Sequence, residues 1–551
     1  MNPKALHELG ESLFEKKGSL NSLHQELAEH FYPERADFSL RREVGDEFAD
    51  HLMTSYPVLV RRELADQIGT MLRPSGQPWF KTVPEDPERE DHEAKTWLEA
   101  SSKIQRRAMY DPAAMLGRAT KEGDNDYSTF GQCAISSEVV WDNEQEGGPH
   151  LLHRCWHLRD MAWQENRFGK IGNRFRRWRV SARELAQIFP GKVHASVERL
   201  ATGSGKRAFT EVDVMHMVVE ADLYDLSEKE RKGRPWVSCY YDATNRHTIE
   251  SLPQWSPTYV IPRWQTVSGS QYAHSPAAIV GLPDARLIQA MTRTLLEVGE
   301  KIANPPMIAT DEVVRSDVQI FPGGITWVDR DYDERLGDAL RPITLDSRGV
   351  PIGIDMQRDA RQLLWAVFYL NKLTLPQRAP EMTAFEVGQR IQEYIRGALP
   401  LFEPMESDYN GQLCELDFEL LRRAGAFGSP RDLPRSLQGE RVNFAFMSPL
   451  HDVIEAQKTQ KFMEAGALIA QATQLDPSAP AALDVGIALR EAMAGAGIPT
   501  KWTRSEQAVR QAQARKEAEQ NTQKILEGLK TGGEAAKNIA GASALLNAPA
   551  A

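Results

Sequence analysis

The segment from residue 276 to residue 380 constrains the fold of this chain more than any other stretch. Two helical patterns, residues 284–303 and 355–372, flank an insert of strand-forming and turn residues. Asn304 and the two prolines after it end the first helix, because proline restricts the residue before it and donates no hydrogen bond. Asp355 is placed to cap the second helix. The first helix carries apolar residues at helical spacing on one side: Leu287, Met291, Leu295, Val298 and Ile302.

A short proline-containing stretch follows the second helix. Residues 373–380 include Pro376 and Pro380, so we predict an exposed loop. The whole segment then resembles two rigid struts with a compact module at one end and a loop at the other. Such an arrangement contains no catalytic grouping.

Length and charge limit the class of protein. A chain of 551 residues exceeds what one core usually holds, so we expect two to four structural units. The net charge of −11 argues against a dedicated nucleic-acid binder, which is usually basic. The four cysteines form no CxxC pair, which indicates a reducing compartment. No signal pattern or membrane-spanning run is visible, so we expect a protein that is made in the cytoplasm and remains soluble.

The rest of the chain predicts a multidomain α+β fold, in which a body of mixed helix and strand lies between helical segments. Helices are expected at residues 4–31, 57–72, 93–120, 182–189, 383–397, 405–423, 450–474, 479–495 and 503–530. Strands are expected at residues 134–141, 151–157, 174–180, 212–220, 236–241 and 258–264. Residues 430–449 look irregular, and the Gly- and Ala-rich residues 531–551 are predicted to be disordered.

One dense group of metal-binding residue types allows an enzymatic alternative. The group consists of His150, His153, Cys155 and His157. On a strand the last three share a face, so a metal site is geometrically possible, and a metal-dependent nuclease or hydrolase could use it. No second ligand group follows at a fixed spacing. We therefore favour a structural role for these side chains and expect neither a cofactor nor enzymatic activity.

Two charged segments are better explained by solvation or ion pairing than by ligand binding. The acidic residues Asp329, Asp331, Asp333 and Glu334 resemble the start of a calcium loop, but the required glycine and the final bidentate glutamate are missing. A second segment alternates basic and aromatic residues, which can bind nucleic acid: Arg174, Phe175, Arg176, Arg177, Trp178 and Arg179. In an acidic protein, an amphipathic strand paired with nearby carboxylates is the favoured interpretation.

Several segments, in the same order, resemble the head-to-tail connector, or portal, family of short-tailed bacteriophages. They extend from near the N-terminus to about residue 520, and they are MLRPSGQPWF (71–80), YSTFG (127–131), PRW (262–264), QYAHSP (271–276), LPD (282–284), NPPM (304–307), PEMTAFEV (380–387), GIP (497–499) and RSEQAV (504–509). Ala273 stands where a glycine is common in the family, and Phe385 where a threonine is common.

The resemblance implies a portal-type fold and a dodecameric ring around a channel at one capsid vertex of the virion. It implies double-stranded DNA passing through the channel, with the terminase motor, a tail adaptor protein, and capsid and scaffolding proteins as partners. It also implies a domain layout: wing 1–275 and 383–445, stem 276–304 and 352–372, clip 305–351, channel loop 373–382, and crown 446–530. Another tail-ring protein, such as an adaptor, is the alternative of the same kind, although adaptors are usually smaller.

Two groups of residues are the expected sites in such a ring. Lys372, Gln377 and Arg378 form a sparse polar ring on the loop close to DNA, and Arg293 and Lys301 on the first stem helix are further channel candidates. The acidic clip residues Asp329, Asp331, Asp333 and Glu334 form a docking surface. The sequence leaves open which stem face lines the channel.

Overall fold

The computed structural model describes two compact units. The first comprises Met1–Phe80 with Ile104–Gly428, and the second comprises Lys81–Lys103 with Ser429–Ala551. The described residues are 1–40, 42–43, 45–86, 91–140, 149–305, 307–309, 340–342, 349–373, 400–439, 441–447, 461–472 and 484–496, with isolated positions between 397 and 516. Most of the predicted clip, channel loop and crown therefore lies outside the described residues.

Helices of the first unit surround a β-rich body. They are α1 Pro3–Lys16, α2 Gly18–Phe31, α3 Tyr56–Leu72, α5 Leu116–Phe130, α6 Ala182–Ile188, α7 Ala195–Ala201, α8 Glu228–Arg231, α9 Leu282–Ala303, α10 Gly349–Val367, α11 Leu370–Leu373 and α12 Gly411–Arg423. Helix α4, His92–Met109, begins in the second unit. Two short π-helices, Ala277–Gly281 and Glu406–Asn410, lead directly into α9 and α12.

Two antiparallel sheets form the body. The larger sheet has the order β4-β5-β6-β7-β8, and the smaller has the order β3-β2-β9. Their strands are β2 Ile135–Val140, β3 His150–Cys155, β4 Met161–Glu165, β5 Ile171–Ser181, β6 Glu211–Glu220, β7 Trp236–Asp242, β8 His247–Gln254 and β9 Tyr259–Val260. The predicted α+β body is confirmed. The sequence missed β4 and β8, and it overestimated the last strand, which has only two residues.

The large sheet is covered on both faces. Phe175, on one face, packs in a buried cluster with Leu6 and Leu13 of α1. Val180, on the other face, packs with Leu185 of α6. This is the alternation expected of a strand with period two, in which neighbouring side chains point to opposite faces.

The second unit contains a small sheet and helices. Strand β1, Phe80–Pro84, pairs with β12, Val442–Phe446, so the predicted irregular stretch 430–449 contains a strand. Ala94 and Leu98 pack on Leu437. Residues 461–472 and the helix α13, Val485–Gly495, lie within two predicted helices. The predicted tail 531–551 lies outside the described residues.

Three predicted helices differ from the observed ones. The predicted helix 4–31 is divided at Lys17, and the predicted helix 93–120 is divided where Pro112 begins a 3₁₀ turn and Met115 adopts φ +54°. The helix predicted to begin at Asp355 begins at Gly349 instead. The sequence hides this earlier start, because Gly349, Pro351 and Gly353 are weak helix formers, although proline is tolerated in the first turn of a helix.

Lys17 is buried at the junction between α1 and α2. Its ammonium donates hydrogen bonds to the backbone oxygens of Leu158 and of Met161, the latter at 2.8 Å. The rings of Trp163 and Tyr272 lie 5.6 and 5.8 Å away. Burial lowers the pKa of Lys17 to about 7, because the charged form loses its hydration. The ammonium thus attaches the N-terminal helices to the turn that joins the two sheets.

Lys17 makes the stability of the fold depend on pH. Between pH 7 and 10 the unfolded chain keeps this proton while the folded chain has lost it, so the contribution of Lys17 to stability rises with pH. The rise is up to about 1.4 kcal/mol per pH unit. We expect urea unfolding of Lys17→Met to lack this component, while the exposed control Lys16→Met keeps it. Parallel pH profiles for Lys17→Met and the unmodified chain would contradict the assignment.

Candidate functional site

The two long helices α9 and α10 form an antiparallel hairpin, here called the long hairpin. Gln357 of α10 donates a hydrogen bond to the Thr292 hydroxyl of α9 at 2.7 Å. One turn further along, a Cβ on Gly353 would lie 3.0 Å from a methyl group of Leu295, so glycine permits the close approach of the helices. Beyond the helices the hairpin continues as a ladder of β10, Met307–Ala309, with β11, Leu340–Pro342.

The long hairpin leaves apolar side chains exposed. The buried side of α9 carries Ala285, Ile288 and Gln289, and three members of the predicted stripe, Met291, Leu295 and Val298, are half-buried. Two members of that predicted stripe, Leu287 and Ile302, are 47% and 46% exposed.

Helix α10 has a more pronounced apolar strip. Ile352, Met356 and Leu363 are 63%, 55% and 59% exposed. Their spacing of four and seven residues places them on one side of the helix. Large exposed apolar patches of this kind mark protein–protein contact surfaces. The exposed flanks of the long hairpin are therefore the candidate contact surface of this chain.

Polar residues occupy a separate side of α9. Arg293 is exposed and forms an ion pair with Glu297 at 3.6 Å. Lys301 is exposed near the end of the helix. Lys372 lies in α11, near the opposite end of the hairpin. Phe368, just before α11, packs close to Gly281 at the start of α9. At 1.5 Å per residue, Lys301 lies roughly 30 Å along α9 from Gly281, so Lys301 and Lys372 lie at different levels of the long hairpin.

The remaining predicted site residues cannot be placed. Gln377 and Arg378 of the loop lie outside the described residues. The four acidic residues of the insert do too: Asp329, Asp331, Asp333 and Glu334.

The side chains considered as a possible metal site, His150, His153, Cys155 and His157, have separate contacts in the fold. His153 is buried, with Nδ1 2.9 Å from the Ala114 oxygen and Nε2 3.0 Å from an Asp417 oxygen. Burial alone would lower the pKa of His153, but the Asp417 carboxylate raises it above its ordinary value. Cys155 lies 3.8 Å from an Asp126 oxygen, and His157 pairs with Asp37 at 2.5 Å.

His150, the fourth of these side chains, pairs with Val140 in the register of β2 and β3. Across the ranges that the structure describes, no group of three His, Cys, Asp or Glu side chains is arranged to hold a metal ion. The enzymatic alternative therefore gains no support from these residues.

The basic and aromatic residues lie on β5, which has a neighbouring strand on each side in the large sheet. Arg176 is buried, its guanidinium 3.8 Å above the Trp156 ring, with Nε donating to the Tyr259 hydroxyl at 2.7 Å. Arg177 pairs with Glu11 at 2.6 Å, and Arg179 pairs with Asp213 at 2.9 Å. These contacts confirm the ion-pair interpretation for the exposed arginines. The nucleic-acid interpretation of this strand gains no support, because these arginines already contact other residues of the fold.

Sequence reasoning missed a buried charge cluster on α5, here called the α5 charge cluster. Three consecutive residues each accept hydrogen bonds from a different arginine: Asp124 from Arg73, Asn125 from Arg61, and Asp126 from Arg35. Arg73 also donates to Asn410 at 2.8 Å. Three adjacent polar residues within a helix were the available signal. Their partners are far away in the sequence and could not be chosen from it.

Gly123 leaves the space in which Tyr409, in the π-helix before α12, packs on α5. A Cβ at Gly123 would lie 2.7 Å from the Tyr409 hydroxyl and 2.9 Å from Ile135. We expect Gly123→Ala to lower the free energy of unfolding by about 1–3 kcal/mol, because the neighbours are buried and must shift. Gly117→Ala on the same helix meets nothing within 4 Å and should be close to neutral. Equal denaturation midpoints for the two variants would show that the close packing is not required.

An α+β body with a long hairpin whose flanks expose apolar side chains is typical of a structural protein that contacts other chains. A family model described as bacteriophage head to tail connecting protein matches residues 4–503. The chain belongs to this family.

Two relatives have names that agree with this family. The chain is 23% identical over 439 residues to the "Probable portal protein" of Bordetella phage BPP-1, covering 77% of this chain and 75% of the relative. It is 21% identical over 445 residues to the "Portal protein" of Salmonella phage epsilon15, covering 78% and 76%. Within the described residues, no helix is long and apolar enough to cross a membrane.

Proposed function

We propose that copies of this chain assemble into a dodecameric ring at one capsid vertex of the virion and form the passage for DNA packaging and ejection. Family membership supports the connector role. The observation that carries the ring is the exposed apolar strip Ile352, Met356 and Leu363 on α10. In a closed ring each copy contributes two different surfaces, and the two flanks of the long hairpin provide them.

The energetics of the strip favour contact between copies. Burying one large aliphatic side chain contributes roughly 1.5–3 kcal/mol, and each copy offers several. Association of two copies alone must overcome lost rotational and translational freedom. When the last copy joins a ring it makes two contacts but loses its rotational and translational freedom only once. The same weak contact surface therefore stabilises a closed ring more than it stabilises a pair of copies.

The proposed layout follows the resemblance to portal proteins. The wing comprises residues 1–275 and 383–445, the stem corresponds to the long hairpin, and the crown begins at about residue 446. The proposed clip comprises residues 305–351, and its last three residues already belong to α10, which begins at Gly349. Its acidic residues Asp329, Asp331, Asp333 and Glu334 are proposed to dock the terminase motor and later the tail adaptor.

The proposed DNA path requires weak contacts. Each phosphate that a protein neutralises adds salt-dependent affinity, which would oppose sliding. A net charge of −11 keeps such contacts few. Lys372, Gln377 and Arg378 are the proposed contacts at the loop, and Arg293 and Lys301 are the proposed contacts along the stem. Capsid and scaffolding proteins are the proposed partners of the wing.

Leu363→Glu tests the ring. The variant places an unpaired charge in the proposed contact, and a loss of roughly 3 kcal/mol would raise the concentration needed for assembly about 100-fold. The adjacent control Gln362→Glu adds the same charge on the polar side and should leave assembly unchanged. Mass photometry and negative-stain imaging measure the ring fraction. Intact rings of Leu363→Glu, or a persistent monomer of the unmodified chain, would contradict the proposal.

Arg378→Ala tests the DNA path. We expect rings to form normally, because the apolar strip is untouched, while the amount of DNA packaged or retained in assembled particles changes. Arg422→Ala, which removes an exposed arginine paired with Glu419 at 2.7 Å on α12, is the control. Unaltered packaging and retention in Arg378→Ala would remove the loop from the DNA path and leave the ring unaffected.

A further inference from the structure

The second helix of the long hairpin has a kink at Tyr369. Helix α10 ends at Val367, and α11 begins at Leu370. Between them Tyr369 has φ +58°, a left-handed conformation. For a residue with a side chain this costs roughly 1–2 kcal/mol. Surrounding contacts must therefore hold Tyr369 in place.

Those contacts come from a series of aromatic rings, here called the aromatic series (Tyr369, Trp264, Tyr127 and Tyr409). Tyr369 stacks on Trp264 with centroids 6.4 Å apart and planes at 16°. Trp264 meets Tyr127 at 5.2 Å, and Tyr127 meets Tyr409 at 5.4 Å. The Arg73 guanidinium lies 4.5 Å from the Tyr409 ring, so the series ends at the α5 charge cluster.

Trp264 is a fixed support in this series. Its backbone N–H donates to the Gly131 oxygen at 2.7 Å, at the end of α5. Gly131 has φ +78°, and a Cβ there would lie 2.5 Å from the His274 carbonyl carbon, so the backbone segments pack at the closest distance that glycine allows. The preceding backbone N–H, of Arg263, donates to Asp408 at 2.8 Å. Trp264 is thus attached to the body on both sides.

The kink in turn places α11. The Tyr369 oxygen accepts backbone hydrogen bonds from Lys372 at 2.9 Å and Leu373 at 3.1 Å. The Lys372 ammonium lies 5.7 Å from the Tyr369 ring. Leu370 and Leu373 are buried. The position of Lys372 therefore depends on the conformation of Tyr369.

We propose that Trp264 is a positioning residue for Lys372: its ring holds Tyr369 in the left-handed conformation, which docks α11 on the body and connects the end of the stem to the α5 charge cluster. The significance of Lys372 for DNA rests on the proposed function. The docking of α11 does not, since it concerns contacts within one copy of the chain. Displacement of Lys372 would be transmitted through the aromatic series to the core of the wing.

Trypsin cleavage after Lys372 tests the docking, using the purified full-length chain. Aromatic stacking is worth about 0.5–1.5 kcal/mol, so Trp264→Ala should increase the open fraction, and with it the cleavage rate, about two- to tenfold. Trp264→Phe should restore most of the protection. Trp255→Ala, which removes a ring 4.0 Å from Arg423 elsewhere on the body, is the matched control.

Tyr369→Ala serves as the second variant if Trp264→Ala does not fold, because Tyr369 lies at the end of the hairpin. It should show the same faster cleavage after Lys372. A cleavage rate equal to that of the unmodified chain in either folded variant overturns the proposal. Ring formation is scored separately by imaging. If the unmodified chain forms no rings but Trp264→Ala is cleaved faster, only the proposed function is contradicted. If the unmodified chain forms rings but cleavage of Trp264→Ala is unchanged, only the positioning role is contradicted.

Discussion

The buried ion pairs of the α5 charge cluster are the interaction on which the first unit depends. Removing a charge from water costs several kcal/mol, and only a well-placed partner offsets that cost. Arg35 lies just after α2, whereas Arg61 lies in α3 and Arg73 at its C-terminal cap, so arginines from two segments bind three consecutive residues of α5. If one segment is displaced, a buried charge loses its partner. The N-terminal helices, α3 and α5 must therefore adopt their positions together, which gives the body a single arrangement.

Helix α5 contacts the segment that enters the long hairpin, and Arg73, which binds Asp124 of α5, contacts Asn410. Before α9, the Ser275 hydroxyl donates to the Thr129 oxygen of α5 at 2.6 Å. After the hairpin and the segment that follows it, Asn410 accepts from Arg73 at 2.8 Å. A long hairpin fixed at its base to a rigid body can carry load without local unfolding. Exposed apolar side chains lie on its flanks, so in the proposed ring the contacts between copies would use residues other than those that stabilise the fold.

Periodicity predicted the helices and strands well where one face is buried, as in α3 and β6. It failed where a single residue changes the direction of the chain, because Lys17 and Tyr369 carry no local signal for a break. The apolar stripe of α9 was wrong at its two ends, Leu287 and Ile302, because an exposed apolar position looks the same in sequence as a core position. The α5 charge cluster could not be predicted, because its geometry joins residues that are distant in the chain. Order of motifs along the chain gave the family more directly than any local pattern.

The distribution of charge along the long hairpin agrees with a passage better than with a binding site. Arg293 is neutralised by Glu297 at 3.6 Å, whereas Lys372 lies near the other end of the hairpin. A high-affinity site would gather its cations at one level, since phosphate contacts add when they act together. The cations named here are partly paired and separated along the hairpin, so DNA that moved along it would gain or lose little binding energy at each step. In the proposed channel, DNA would therefore meet little resistance to sliding, and a specific hold would have to come from the short segment that Tyr369 and Trp264 position.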